Sequence, residues 1–317
     1  MNKLSLLKPT GDPHLGNLLG ALAPMAAGQD SADCFYGVAD LHALTVHHDP
    51  ARLRDATRQL ARLMLAVGLD RSTLFVQSRV PAHSELAFLL ECTAYTGELN
   101  RMIQFKEKGR DQPTTRVSLY TYPALMAADI LLYRTAQVPV GADQRQHVEL
   151  TRDLALRFNR TYGEVFTVPE IVVPPTGARV MDLADPTTKM GKSSASDAGV
   201  IRILDTPDAI RATVARAVTD SEVGPDAVRA DREAKPGVTN LLEILGACGG
   251  SAEGITTYGA LKSAVTDAVV ETLAPIRARY ADLDDASVSM VFEEGAARCR
   301  QVTMPVLAAA RTAMGLT

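Results

Sequence analysis

Pro9-Thr10-Gly11-Asp12-Pro13-His14-Leu15-Gly16-Asn17 follows a short apolar run, Leu4 to Leu7, and precedes Leu18-Leu19-Gly20-Ala21-Leu22. The pattern reads as strand, tight turn and helix start, with Pro9, Gly11 and Pro13 punctuating the turn. Gly16 lets a ligand approach the backbone closely, and amides at a helix N-terminus favour phosphate. Alone, the stretch fits an ordinary βα turn as well as a nucleotide site, so a second phosphate-binding element has to decide.

Outward from there, Cys34 to Ala39 reads as a buried strand ending in Asp40-Leu41-His42. Asp49 is expected to cap a helix with Pro50 at its first position, carrying Leu53, Ala56, Leu60, Met64 and Val67 to Gly68. Leu74 to Gln77 is a further short strand, completing a βαβ unit of a parallel sheet. Ser84 is expected to cap the next helix, through Leu86, Leu89, Leu90 and Thr93. Residues 97–116 read as a solvated connection, and an apolar helix is expected from Tyr122-Pro123 to Tyr133. Gln137 to Val140 is a strand, followed by a turn and a long helix ending near Asn159. Glu164 to Val173 is β-like. From Asp205 onward the pattern is helical throughout: 207–218, 238–248, 261–280 and 286–314. The shift places a boundary between 175 and 205.

Composition narrows the class. The chain has 317 residues, 46% of them hydrophobic and 22% charged, which suits a soluble globular protein of two domains, or of one large domain with an insertion. No apolar run approaches a membrane span, and Met1-Asn2-Lys3 enters the first strand directly, so a cytoplasmic place is expected. Cys34, Cys92, Cys248 and Cys299 are far apart, with neither zinc-ligand nor disulfide spacing; reduced, mostly buried thiols are expected. No metal-ligating cluster is visible. A net charge of −4 does not advertise nucleic-acid binding, although a local basic face would serve it.

The second phosphate element is Lys189-Met190-Gly191-Lys192-Ser193-Ser194. Its two lysines, three apart, offer point charges to a polyanion, and Gly191 with the small hydroxyl residues lets the loop wrap. On its own such a loop is more often a solvated basic turn than a catalytic one. The order of the two elements resembles the HIGH and KMSKS signatures of class I aminoacyl-tRNA synthetases. Between them, Ala39-Asp-Leu-His-Ala-Leu44, Gly97-Glu-Leu-x-Arg-Met-x-Gln-Phe-Lys-Glu-Lys108, Thr121-Tyr-Pro-x-Leu-Met-Ala-Ala-Asp-Ile-Leu-Leu-Tyr133 and Val140-Gly-x-Asp-Gln-x-Gln-His-x-Glu-Leu-Thr-Arg-Asp153 resemble the tryptophanyl-tRNA synthetases. Ala217-Val-Thr-Asp-Ser221 and Glu233-Ala-Lys-Pro-Gly237 extend the likeness into the helical part.

The resemblance implies an α/β protein. A Rossmann-like parallel-sheet catalytic domain would span 1–181, an all-α anticodon-binding domain 182–288, and a returning C-terminal helix 289–317. It also implies ATP with its Mg²⁺, L-tryptophan and tRNA(Trp) as ligands, and a homodimer with no membrane attachment. Position by position, Asp129 matches the carboxylate that accepts the indole N–H. Such an acid among Met126, Ile130 and Val140 is costly unless it finds a donor; an acid satisfied by a neighbouring helix is the alternative. His42, Met126, Val140, Tyr122, Leu4 and Gln144 match the rest of the tryptophan pocket, although position alone favours for His42 a strand-end histidine with no ligand role. Lys8, Pro9, Thr10, His14, Gly16 and Asn17 match nucleotide-facing positions. Gly141, Ala142 and Asp143 match the ribose turn, and Val180 the adenine edge. Lys108, Lys189 and Lys192, with Met190, Gly191 and Ser193 around them, match the groups that meet the ATP phosphates.

Two positions depart from the family pattern. Gly191 stands where serine is common, which is expected to loosen the loop. Lys8 stands where many members have glutamine, which places an extra cation beside the α-phosphate. An altered response to ATP or to tryptophan-mimicking inhibitors, as of an inhibitor-tolerant isoform, is therefore expected. Tyrosine charging, a nucleotidyltransferase of the same superfamily and a tRNA-binding paralogue with weak charging remain as rivals.

Overall fold

The apolar run at the N-terminus forms β1 (Asn2–Leu7), and the turn after it feeds α1 (Leu15–Asn17). The computed structural model describes residues 2–108, 113–139, 144–172, 179–191 and 197–316. The first helix continues through a wider turn at Leu18–Leu22 into α2 (Ala23–Ala27). Next, β2 (Asp33–Val38) runs parallel to β1. Beyond it, α3 (Asp40–Ala43) and α4 (Pro50–Ala66) lead to β3 (Thr73–Val76), parallel to β2. Asp49 caps α4 by accepting from the Arg52 N–H at 2.9 Å, and Pro50 takes the first helical position, as its fixed φ favours.

The chain then leaves the sheet through α5 (Ala82–Glu91), α6 (Thr96–Leu99), α7 (Ile103–Lys108) and α8 (Val117–Leu132). It returns as β4 (Gln137–Pro139), α9 (Arg145–Tyr162) and β5 (Glu170–Val172), the two strands forming a second parallel pair. β4 contacts β1, so the strands run 3-2-1 and then 4-5, reversing direction of growth between β1 and β4. Open α/β sheets bind ligands at such a reversal.

Three local expectations are corrected. α5 starts at Ala82 rather than after Ser84, whose hydroxyl instead donates to the Pro81 carbonyl at 3.0 Å. The expected solvated connection forms α6 and α7, and the Glu98–Arg157 ion pair ties it to α9. α8 starts at Val117, with Pro123 inside it; burial of Ala124, Ala127, Ala128 and Leu131 outweighs the backbone bond that the proline removes. Of the four thiols, Cys34 and Cys299 are buried, Cys248 is half-buried and Cys92 is exposed.

Past residue 205 the described residues hold no strand. They form α10 (Pro207–Ala215), α11 (Pro236–Ala247), α12 (Tyr258–Asp282) and α13 (Asp285–Ala313). Thr206, Thr257 and Asp284 each accept from the N–H three residues on, capping α10, α12 and α13. Lys235, buried at the start of α11, donates to Asp220 at 2.9 Å and to Tyr258 at 2.9 Å, and pairs with Glu222 at 2.8 Å. This bonding joins the two runs, 217–221 and 233–237, that lie apart in the sequence.

α13 turns back onto the sheet and packs against β3, α4, α5 and α8. A Cβ on Gly295 would sit 1.8 Å from the Leu74 carbonyl oxygen, so only glycine allows this approach. One apolar core runs from Leu15, Met64 and Leu74 through Val180 and Met190 to Val238, Leu245 and Val265. It therefore continues across the expected division at residue 181. A second core, on the other face, gathers Phe35, Phe75, Leu86, Leu131, Phe158 and Leu307. Among the described residues no helix is long and apolar enough to cross a membrane.

Candidate active site

The turn after β1 is held from two sides. Asn17 Oδ1 accepts from the His14 N–H at 3.1 Å, closing the first turn of α1. The Leu15 N–H donates to the Ile201 carbonyl at 2.8 Å, and the Ile203 N–H to the Pro13 carbonyl at 3.0 Å. His14 is thereby nearly buried. A Cβ on Gly16 would lie 3.1 Å from the His14 imidazole and 3.5 Å from Val180 Cβ, so Gly16 is the floor on which both rest.

Val180 joins this turn to the lysine loop. Its carbonyl accepts from the Met190 N–H at 3.2 Å, and the Asp182 N–H donates to the Thr188 carbonyl at 3.0 Å. Met181 and Lys189 face each other across this hairpin. Met190 is buried beneath it while Lys189 is exposed. The structure thus brings His14, Gly16, Val180, Lys189 and Met190 to one place, and half-buried Gly191 follows directly. Thr10 folds back through its N–H to the Lys8 carbonyl at 2.9 Å. Pro9 lines a separate cavity of about 640 Å³ with Asp12, Arg52, Arg202 and Tyr280.

The sheet reversal opens a cavity of about 510 Å³, a volume typical of small-molecule sites. Leu4, Lys8, His42, Tyr122, Met126, Asp129 and Gln144 all line it. β1 and Lys8 just after it, α3, α8 and Gln144 at the N-cap of α9 present these side chains, and Met126 packs with Ile130 and Val138 behind it. Lys8 reaches the rim, with Nζ 3.4 Å from Thr45 Oγ1. The Tyr122 hydroxyl bonds His147 Nε2, and burial pushes its pKa up to about 12.

Asp129 is 1% exposed. Its Oδ2 accepts from His42 Nε2 at 2.7 Å, and its Oδ1 from Gln77 Nε2 at 2.8 Å and from His83 Nδ1 at 2.6 Å. Burial alone would raise its pKa; the hydrogen bonds and charges of His42 and His83 more than reverse that and hold the carboxyl below its usual range. The group is a nearly buried anion, satisfied by donors on three other elements.

Gln77 and His83 were not among the expected site residues. His83 Nε2 bonds the Tyr133 hydroxyl at 3.0 Å, and both side chains are fully buried. The available signal was a histidine on the apolar face of α5, level with Val80 and Leu86. Among the expected site residues, Val140, Gly141, Ala142, Asp143, Lys192 and Ser193 lie outside the described residues, as does the side chain of Lys108.

The family model for class I tRNA synthetases (W and Y) matches residues 4–274. The Tryptophan–tRNA ligase 1 of Streptomyces avermitilis is 52% identical over 98% of this chain and 97% of its own. The Tryptophan–tRNA ligase of Caldanaerobacter subterraneus is 47% identical over 98% and 97%. Tryptophanyl-tRNA synthetase from Mycoplasma pneumoniae has a similar structure, with TM-score 0.90 and 36% identity over 100% of this chain and 98% of that one. The Campylobacter jejuni enzyme, solved with ADP and tryptophan, gives TM-score 0.87 at 31% identity, covering 100% of both chains.

Proposed function

Because this chain belongs to the class I tRNA synthetases for tryptophan and tyrosine, we propose that it is a tryptophan–tRNA ligase. It activates L-tryptophan with MgATP and transfers the tryptophanyl group to tRNA(Trp). The observation that carries this is Asp129: a buried carboxylate at the wall of an otherwise largely apolar cavity rewards a ligand bearing a ring N–H. A ligand without a donor leaves that acceptor unmet, a mismatch that discriminates strongly.

In the first step the amino-acid carboxylate attacks the α-phosphorus in line and pyrophosphate leaves. Lys189, Lys192 and Lys108 neutralise the charge that develops on the phosphates, and Mg²⁺ arrives with ATP as part of the substrate. Gly16 gives the nucleotide access to the backbone beside His14 and Asn17, with Thr10, Val180 and the 141–143 turn around the adenosine. Lys8 and Gln144 face the polar end of the amino acid. No covalent enzyme intermediate is needed; positioning and electrostatics supply the rate. In the second step the terminal ribose 2′-hydroxyl of the tRNA takes the acyl group. The loop from Lys189 to Ser193 closes over ATP and opens for product.

The division into a catalytic part, 1–181 with 289–317, and an anticodon-binding part, 182–288, belongs to the same reading. So do a cytoplasmic place and a homodimer. Exposed apolar side chains on neighbouring helices, Phe88, Tyr95, Val117 and Leu156, support the dimer.

The test is ATP–pyrophosphate exchange with tryptophan and with tyrosine, followed by tRNA charging. Exchange with tryptophan and little with tyrosine is expected. Absence of exchange with tryptophan overturns the reading.

A further inference from the structure

Each carboxylate oxygen offers two acceptor positions. On Asp129, Gln77 and His83 occupy both positions of Oδ1, while His42 takes one of Oδ2. One acceptor position remains among these bonds, and it is on Oδ2, the oxygen shared with cavity-lining His42. A ring N–H entering the cavity therefore meets a carboxylate whose orientation is already chosen.

His83 makes that choice rigid. Its ring is fully buried and stacks on Phe75 at 5.8 Å between centroids, with 20° between the planes. Because Asp129 is anionic and can only accept, Nδ1 carries the proton. Nε2 is then held by the Tyr133 hydroxyl at 3.0 Å, beside the Cys299 thiol on α13. The chain of bonds runs from the cavity wall to fully buried Tyr133 without reaching solvent. Neither His83, Tyr133 nor Cys299 lines the cavity.

We propose that His83, anchored by Tyr133, is a positioning residue for amino-acid specificity: by filling Asp129 Oδ1 it reserves Oδ2 for the substrate's ring N–H. This rests on the tryptophan reading above. Without His83, Oδ1 has an unmet acceptor position in the protein interior. The carboxylate then gains freedom to turn, and the preference for an N–H donor falls.

The experiment compares tryptophan with β-(3-benzothienyl)alanine, in which sulfur replaces the ring N–H, by ATP–pyrophosphate exchange. The wild type, His83→Leu, His83→Asn and Tyr133→Phe are measured, with thermal midpoints recorded for each. For His83→Leu, the KM for tryptophan is expected to rise roughly tenfold or more, the scale of a hydrogen bond to a charged group. Its kcat and the analogue's KM change little. His83→Asn places an amide N–H where Nδ1 stood and recovers most of the preference. Tyr133→Phe, which loosens the ring without removing the donor, gives a smaller loss in the same direction.

A folded His83→Leu protein that keeps the wild-type tryptophan-to-analogue ratio overturns the role, and so does one that loses both substrates in equal proportion. Should His83→Leu not fold, Tyr133→Phe decides, an unchanged ratio again overturning it. A wild-type protein with no tryptophan exchange overturns the parent reading instead, before any variant is compared.

Discussion

The Asn240 side-chain amide grips both backbone polar groups of Met181: Oδ1 accepts its N–H at 2.9 Å and Nδ2 donates to its carbonyl at 2.9 Å. Asn240 lies on α11 and is buried, while Met181 pairs with Lys189 across the hairpin. A helix of the second half of the chain thus sets the height of that hairpin. Asn240→Ala leaves an N–H and a carbonyl unmet, a cost of about 1–3 kcal/mol. Urea unfolding should show this loss, and exchange kinetics a raised KM for ATP. Stability and KM both equal to wild type would show that the grip is idle.

Gly295→Ala should destabilise more. The added methyl would meet the Leu74 carbonyl at 1.8 Å, so α13 must lift from β3 or the strand must bend. Overpacking of this kind costs about 1–3 kcal/mol or more. A lowered denaturant midpoint with unchanged slope is the expected result, and a wild-type midpoint would refute the packing described here.

Acid stability should depend on Asp129. Burial alone would raise its pKa, but His42 and His83 bring it below the usual value. A carboxyl depressed in the folded state stabilises fully above its unfolded pKa of about 3.9, and that contribution is lost as pH falls through the folded value. Thermal midpoints of the wild type should therefore fall towards those of Asp129→Asn as pH drops below about 4. Parallel curves for the two proteins across that range would contradict the assignment.

Lys8→Gln removes a cation from the rim of the Asp129 cavity, where Nζ now lies 3.4 Å from Thr45 Oγ1. A competitive tryptophan analogue should then inhibit with a constant changed by about tenfold, the scale of one charge-assisted contact. Because Lys8 is exposed, the thermal midpoint should stay where it is. Equal inhibition constants for the two proteins would remove Lys8 from any part in inhibitor response.

Much of this was legible in the residues themselves. Asp49-Pro50 announces α4 because a carboxylate acceptor and a fixed φ act within four residues. The strands β1, β2 and β3 are apolar runs bounded by turns. Ser84 misled because a hydroxyl can serve a carbonyl as readily as an N–H, and only the preceding fold of Pro81 decides between them. The α8 boundary was missed because Pro123 is tolerated in the interior only when burial outweighs it, and burial is a property of neighbours.

The sequence by itself determined the parallel α/β unit, the helical second half, the pairing of the 9–17 stretch with the lysine loop, and Asp129 as the acid to watch. The first two follow from local periodicity and turn chemistry; the last two rest on the resemblance to the tryptophanyl-tRNA synthetases. Tertiary structure alone decided that Val180 bridges Gly16 to Met190, that Asn240 holds Met181, and that Gln77, His42 and His83 meet on Asp129. Gln77 and His83 lie 52 and 46 residues from Asp129 in the chain. A hydrogen bond reads direction and distance to within a few tenths of an ångström, and no pattern of residue types along a chain encodes that.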